Sequence, residues 1–367
     1  MSDITKVVTI LGTRPEIVKL SPLLPLLNEH FEHVLIHTGQ HYDYEMDQVF
    51  FEQLQLKNPT YNLNIGSGLQ GKQTALMLEK IEKILLSEKP QLVIVQGDTN
   101  SVLAGALAAV KLNIPVAHVE AGLRNFRKDT PEEVNRIVAD HVADYLFAPD
   151  GVAVQNLRKE GFSSDKIYFV GSTSYEAALR NSNLGESTEL FNKLGIEKNK
   201  YILVTIHRAE NTNDSVVLGQ IVGALNVLAT KTKLVFPIHP RTKKKIEEFG
   251  LVLDRSIIAL PPQEYLSLLQ LLKFACFCIT ESGGIQEESV VFNTPCIIPL
   301  NETCWPKLVT AGKNFLVGQT TQSIVQKAEE LLNDNSLKEV KNIVYTYPIN
   351  VAQQIVDILK LEKNRNR

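Results

Sequence analysis

Cysteine is scarce in this chain: Cys276, Cys278, Cys296 and Cys304 are the four among 367 residues, all in the second half and none in a CxxC pair. A disulfide framework or a zinc centre is therefore not expected, and the compartment reads as reducing, hence cytoplasmic. Cys276 and Cys278 alternate along one expected strand, so they face opposite sides. No apolar stretch reaches the ~18 residues of a membrane span, and the first residues, MSDITKVVTILGTRPE, lack a charged-then-apolar signal pattern. Positive charge is not in surplus: 38 Lys and Arg against 41 Asp and Glu leave a formal net charge of −3, which gives no footprint for nucleic acid. GxGxxG is missing after the first apolar run, where the sequence is Gly12-Thr13-Arg14-Pro15-Glu16. A dinucleotide held by the standard fingerprint is thus not expected. Low-complexity segments and short repeats are missing too.

What the chain has is a regular alternation. Short β-branched-rich runs occupy 6–12, 33–37, 91–97, 114–120, 144–149 and 166–171, then 201–207, 233–240, 256–262, 276–283, 295–301 and 314–318. They are nearly continuous in apolar character, as parallel strands buried on both faces are. Helical patterns lie between them. Pro15 suits a first helical turn, and Ile17, Leu20, Leu23, Leu24 and Leu27 follow at helical spacing. Residues 101–112, 150–160, 214–230, 264–274 and 322–333 read alike. The alternation predicts an α/β fold with a doubly wound parallel sheet, and two series predict two such sheets. The length agrees with two domains at ~100–200 residues each. Residues 172–200 are of mixed polarity without a strand, so the first domain is expected at 1–172 and the second at 173–348. A last helix from 349 onward, after the Tyr345-Thr346-Tyr347-Pro348 break, is expected to pack back on the first domain.

Ligands of open α/β sheets bind beyond the carboxyl ends of the strands. Polar clusters stand there: Gly12 to Glu16, Gly97-Asp98-Thr99-Asn100, His118 to Arg124, His207 to Asn211, His239-Pro240-Arg241 and Ser282 to Glu288. The Ser282-Gly283-Gly284 turn leads into a helix, whose free N–H groups suit a phosphate; a plain turn with a serine cap is the alternative. Asp98, Glu120 and Glu132 are three carboxylates from successive loops, suited to acid and base work. Asp98 also suits a helix cap, and Glu132 a favourable first-turn glutamate. Glu120 ends a strongly apolar strand and needs partners there; Arg124 and Arg136 are the expected ones. His207 suits either a core position or a proton donor to a leaving phosphate.

GTRPEIVKLSP, HTGQHYDYEM, QGDTNS, HVEAGLR, PEEVNR, HRAEN and ESGGIQEES stand in order through residues 12–289. In this combination the chain resembles the non-hydrolysing UDP-N-acetylglucosamine 2-epimerase family over nearly its whole length. The resemblance implies two Rossmann-like domains in a GT-B-like arrangement, an isomerase acting on a UDP-sugar, no cofactor and no metal, and a homodimer. It implies catalytic roles for Asp98, Glu120, Glu132 and His207. It implies that Arg14, Lys19, Arg136, His239, Ser282 and Glu288 hold UDP or support the site, with Glu288 on the ribose hydroxyls. Two segments depart from the family. Its usual Thr-Glu-Arg-Pro-Glu is Thr303-Cys304-Trp305-Pro306-Lys307 here, and relatives acting on UDP-2,3-diacetamido-2,3-dideoxyglucuronic acid can carry a tryptophan at that place. Members activated by UDP-GlcNAc have an arginine after the Gln-His pair, where this chain has Gln40-His41-Tyr42, so an allosteric site is not carried over.

The implied chemistry is elimination and re-addition. A carboxylate takes the C2 proton while UDP leaves C1, and UDP returns as a proton arrives on the opposite face of C2. The rival readings are a GT-B glycosyltransferase, a hydrolysing epimerase and an inactive sugar-nucleotide binder.

Overall fold

Val93, Ile94 and Val95 on one strand, and Ile202, Leu203 and Val204 on another, are wholly buried, as continuous apolar runs covered on both faces by helices must be. The computed structural model describes residues 5–40, 44–185, 188–303, 305–345 and 347–365. Every expected run forms a strand, shorter than the run except at 33–37, where the strand starts one residue earlier. The first series gives β1 (Lys6–Leu11), β2 (Glu32–His37), β3 (Tyr61–Asn62), β4 (Leu92–Gln96), β5 (Val116–Val119), β6 (Tyr145–Ala148) and β7 (Ile167–Phe169). They form a sheet of order β3-β2-β1-β4-β5-β6-β7. The second series gives β8 (Tyr201–Thr205), β9 (Lys233–Pro237), β10 (Ile258–Leu260), β11 (Phe277–Thr280), β12 (Cys296–Ile298) and β13 (Asn314–Leu316), in the order β10-β9-β8-β11-β12-β13. All pairings are parallel. The two-residue β3 was not expected.

Each sheet winds outward from its first strand in one direction and returns to its other side, leaving a switch point between β1 and β4 and another between β8 and β11. Register fixes what meets there. Gln96 lies opposite Val119, so Asp98 and Glu120 leave the sheet at similar height. Thr280 lies opposite Thr205, so residues 281–282 and 206–207 do the same.

The helices Asn100–Lys111, Gly151–Lys159, Ser215–Ala229, Tyr265–Lys273 and Thr321–Leu332 lie within one residue of their expected bounds. The pattern from Pro15 to Leu27 divides into Arg14–Leu20 and Leu23–His30. Pro22 has no N–H to continue the ladder, and Ser21 N–H turns to the Val18 carbonyl at 3.1 Å. Helices Tyr44–Gln53 and Gln70–Glu88 were not expected; the latter buries only Gln73, Met77, Ile81 and Leu85, a narrow stripe with a polar end.

The chain divides into two units, Met1–Ala177 with Tyr347–Arg367, and Ala178–Thr346. The division falls inside the helix Thr173–Ser182. In the first unit the helix Val351–Arg365 packs against Leu23–His30, and its Ala352 N–H donates to Glu176 at 2.8 Å. Gly171, at φ +101°, lets Pro348 approach: a Cβ there would stand 2.7 Å from the Pro348 Cβ. In the second unit Cys276 packs in the core on one face of the sheet, and Cys278 and Cys296 in the core on the other. All three are free thiols; Cys304 lies outside the described residues.

Candidate active site

At the first switch point the chain leaves β1 through Gly12, which packs so closely that a Cβ would stand 2.0 Å from Thr38 Oγ1 and 2.2 Å from Ser101 Oγ. Thr13 then begins the helix Arg14–Leu20, with Pro15 in its first turn. Glu16 turns back beneath this turn and is 3% exposed. Its Oε2 accepts from Gly12 N–H and Thr13 Oγ1, both at 2.9 Å, and its Oε1 accepts from Thr99 Oγ1 at 2.8 Å. One carboxyl group therefore joins the loop after β1 to the loop after β4. Burial pushes it up to about 7, against the lowering effect of its hydrogen bonds and with a further push from Asp98. The guanidinium of Arg14 lies over the Phe50 ring, 5.1 Å from its centroid.

Glu120 follows β5 with φ at +68°, a left-handed conformation uncommon outside glycine and costly where it occurs. Its side chain is 5% exposed. Lys19 Nζ stands 2.8 Å from Oε2, Gln96 Nε2 donates to the same oxygen at 2.6 Å, and Ser174 Oγ donates to Oε1 at 3.3 Å. The arginines expected as its partners are engaged elsewhere. Arg124 pairs with Asp140 and Glu160, and Arg136 with Asp98 and Glu133. Lys19, in the last turn of the helix after β1, takes their place.

Asp98 does not cap the following helix; Thr99 does, its Oγ1 accepting from Val102 N–H at 3.3 Å. The Asp98 side chain instead meets Arg136 at 2.5 Å, and its carbonyl accepts from Asn135 Nδ2 at 2.9 Å. Glu132 is exposed on the first turn of the helix Pro131–Val142, one helical turn from Arg136. The buried glutamate of that pair is Glu133, which accepts from the amides of Asn125 and Phe126. Arg14, Lys19, Asp98, Glu120 and Arg136 thus share the carboxyl edge of the first sheet. Glu132 stands on the solvent side of its helix start.

In the second unit the switch point carries His207 after β8 and Ser282 after β11. Between them lies Glu281, fully buried. Its Oε1 accepts from the amides of His207 and Arg208, and its Oε2 from the Asn211 side chain. His207 Nδ1 is 3.8 Å from the same carboxylate. The rings of His207 and His239 lie 5.6 Å apart. His207 is held below the usual imidazole range, chiefly by burial, then by His239, Arg208 and Arg241, while Glu281 works the other way. His239 caps the helix Pro240–Glu248, its Nδ1 accepting from Arg241 N–H at 3.2 Å.

Ser282 begins the helix Gly283–Val291 without a side-chain cap bond, so the amides of that first turn are not spent on serine. Gly284 has open space where a Cβ would stand. Both suit a phosphate. Glu288, one turn on, accepts from Tyr265 Oη at 3.1 Å. Trp305 is partly buried and donates from its indole N–H to the Gly283 carbonyl at 2.9 Å, placing its ring against this turn.

Two buried glutamates that bridge the strand-end loops, Glu16 and Glu281, were not among the candidates. The signal for Glu16 was the Thr13-x-x-Glu16 capping-box spacing. That for Glu281 was its place at the end of an apolar strand, the same position that drew attention to Glu120.

The family described as UDP-N-acetylglucosamine 2-epimerase matches residues 26–360. The UDP-N-acetylglucosamine 2-epimerase of Methanococcus maripaludis is 48% identical, over 90% of this chain and 92% of its own. The UDP-2,3-diacetamido-2,3-dideoxy-D-glucuronate 2-epimerase of Pseudomonas aeruginosa is 44% identical, over 89% and 92%. The crystal structure of Methanocaldococcus jannaschii UDP-GlcNAc 2-epimerase in complex with UDP-GlcNAc and UDP superposes with a TM-score of 0.84 at 43% identity, covering 97% of this chain and all of that one. By sequence and by fold, then, this chain belongs to the UDP-N-acetylglucosamine 2-epimerase family, a family of isomerases.

Proposed function

We propose that the chain is a non-hydrolysing UDP-N-acetylglucosamine 2-epimerase interconverting UDP-GlcNAc and UDP-ManNAc. The observation that carries the reading is Glu120: a buried carboxylate on left-handed backbone at the carboxyl edge of the first sheet, held by Lys19 and Gln96. Such a group is fixed in direction and has little water to reorganise, which suits proton transfer at carbon.

The C2 proton of a 2-acetamido sugar is not acidic by itself. A carboxylate takes it, its C–H electrons form the C1=C2 double bond, and the C1–O bond breaks with its electrons to UDP. The products are 2-acetamidoglucal and UDP. Re-addition reverses each bond change, with the proton delivered to the opposite face of C2. The balance needs no outside oxidant or reductant. Two faces require two proton-handling groups, drawn from Asp98, Glu120 and Glu132. His207 protonates the leaving phosphate, and the Ser282-Gly283-Gly284 turn, Arg14, Lys19, Arg136, His239 and Glu288 bind or orient UDP.

Trp305 favours a second reading, the 2-epimerisation of UDP-2,3-diacetamido-2,3-dideoxyglucuronic acid. Its ring stands at the Gly283 turn where the family usually has arginine. The test is incubation with each sugar in deuterated water, read at C2 by NMR. Inversion with deuterium entering C2 is expected; turnover with full retention of the original hydrogen overturns elimination, and free N-acetylmannosamine marks a hydrolysing enzyme.

A homodimer in the cytoplasm belongs to the same proposal. The free thiols of Cys276, Cys278 and Cys296 agree with a reducing compartment, and sedimentation equilibrium tests the dimer.

A further inference from the structure

His118, two residues before Glu120, is wholly buried. Its Nε2 lies 2.8 Å from the Gly97 carbonyl and its Nδ1 2.6 Å from Asp140 Oδ1. A peptide carbonyl only accepts, so Nε2 carries a proton. Asp140 is an anion: the buried Arg124 guanidinium stands 2.7 Å from its Oδ2, and, although burial opposes its charge, its cationic neighbours hold the carboxyl below its usual range. A carboxylate also only accepts, so Nδ1 carries a proton too. A ring with both nitrogens protonated is an imidazolium.

What this ring holds is as informative. Gly97, at φ +85°, immediately precedes Asp98. The other Asp140 oxygen accepts from Gly122 N–H at 3.0 Å and meets Arg124 at 2.7 Å. Gly122 closes the turn that begins at Glu120. The His118–Asp140 pair therefore grips the loop carrying Asp98 with one hand and the loop carrying Glu120 with the other.

We propose that His118 is a buried imidazolium that positions Asp98 and Glu120, by donating to the Gly97 carbonyl and, through Asp140, fixing the Gly122 amide. The catalytic half of this statement rests on the epimerase reading; the protonation state does not. The groups facing the ring are Asp140 from the helix Pro131–Val142, the Gly97 carbonyl from the loop after β4, and Glu120 from its own loop. Burial lowers the imidazole; Asp140, the carbonyl and Glu120 raise it and prevail. The stability contributed by a group raised in this way is fully present below the free-imidazole value of ~6.5 and is lost as pH rises through the folded value.

The experiment is NMR of the full chain labelled with ¹⁵N in histidine, with His118→Gln identifying the signal. At pH ~8, where free histidine (pKa ~6.5) is neutral, His118 is expected to show two ring N–H protons shielded from exchange. A singly protonated ring at that pH overturns the proposal. His118→Gln is expected to lower kcat by roughly 10²-fold, as misplacing catalytic groups does, with UDP affinity by calorimetry unchanged. A native kcat, or a loss confined to UDP affinity, overturns positioning. Should His118→Gln fail to fold, Asp140→Asn serves: it is expected to return one ring nitrogen to titration and move the alkaline limb of the kcat profile to lower pH, and an unmoved limb counts against the proposal. Lack of turnover by the wild type on any UDP-sugar sinks the epimerase reading alone, since the NMR result stands without it.

Discussion

Lys19 and Glu120 are 101 residues apart in sequence and 2.8 Å apart in the structure. The lysine side chain is 29% exposed and the glutamate 5%, so the pair presents a cation toward solvent and a shielded anion behind it.

Replacing Lys19 by Met leaves the Glu120 carboxylate with Gln96 and Ser174 as neutral donors. Leaving a buried charged group under-satisfied costs about 1–3 kcal/mol. Lys19→Met is expected to lose that much in urea unfolding and to lower kcat/KM, whereas an unchanged unfolding midpoint would mean the pair is not formed in solution.

Asp98→Asn, Glu120→Gln and Glu132→Gln are each expected to lower kcat by ~10²-fold or more, as removal of acid–base groups does. UDP affinity, measured by calorimetry, should hold. Glu120 should be the most damaging of the three. If all three turn over at the native rate, the carboxylate assignment is wrong.

Glu16 sets a pH dependence of stability. Its folded-state carboxyl is raised to about 7 from an ordinary 4.5. The folded protein then binds more protons than the unfolded one between those values, so stability is fully present below about 4.5 and declines as pH rises through about 7. The shift is on the order of 3 kcal/mol. Glu16→Gln has no proton to lose. Its unfolding free energy should fall less than that of the wild type between pH 5 and pH 8; equal slopes would refute the assignment.

Glu281→Gln places an amide donor where three donors already point, from His207, Arg208 and Asn211. The expected loss is about 1–3 kcal/mol in urea unfolding, accompanied by a fall in kcat as the His207 loop shifts. Full activity with native stability would show that the loop does not depend on this carboxylate.

Trp305→Phe removes the N–H that holds the Gly283 carbonyl, and Trp305→Arg restores the planar cation usual in the family. A sugar-selecting role predicts a changed ratio of kcat/KM between UDP-GlcNAc and the diacetamido-uronate. An equal loss on both would reduce Trp305 to packing beneath its loop.

The sequence by itself determined every strand but β3 and many of the helices between them. Runs such as Leu92–Gln96 and Tyr201–Thr205 are apolar at every position because helices cover both faces of a parallel sheet, and that constraint is local enough to read. What escaped was set by few residues or by weak pattern. Tyr61–Asn62 is a strand only because it pairs with Ile36 and His37. The helix Gln70–Glu88 buries four of its 19 residues.

Partner choice was decided by tertiary structure alone. Arg124 and Arg136 are the expected partners of Glu120, yet they turn to Asp140 and Asp98, and the cation that arrives comes from the helix after β1. The same holds for Glu16 reaching Thr99 and Glu281 reaching His207. In a doubly wound sheet the strands beside a switch point are never consecutive in the chain, so the loops that meet there carry side chains whose spacing in sequence holds no record of their contact. Burial then does the selecting, because a carboxylate shut away from water must take whichever donors the strand order brings within reach.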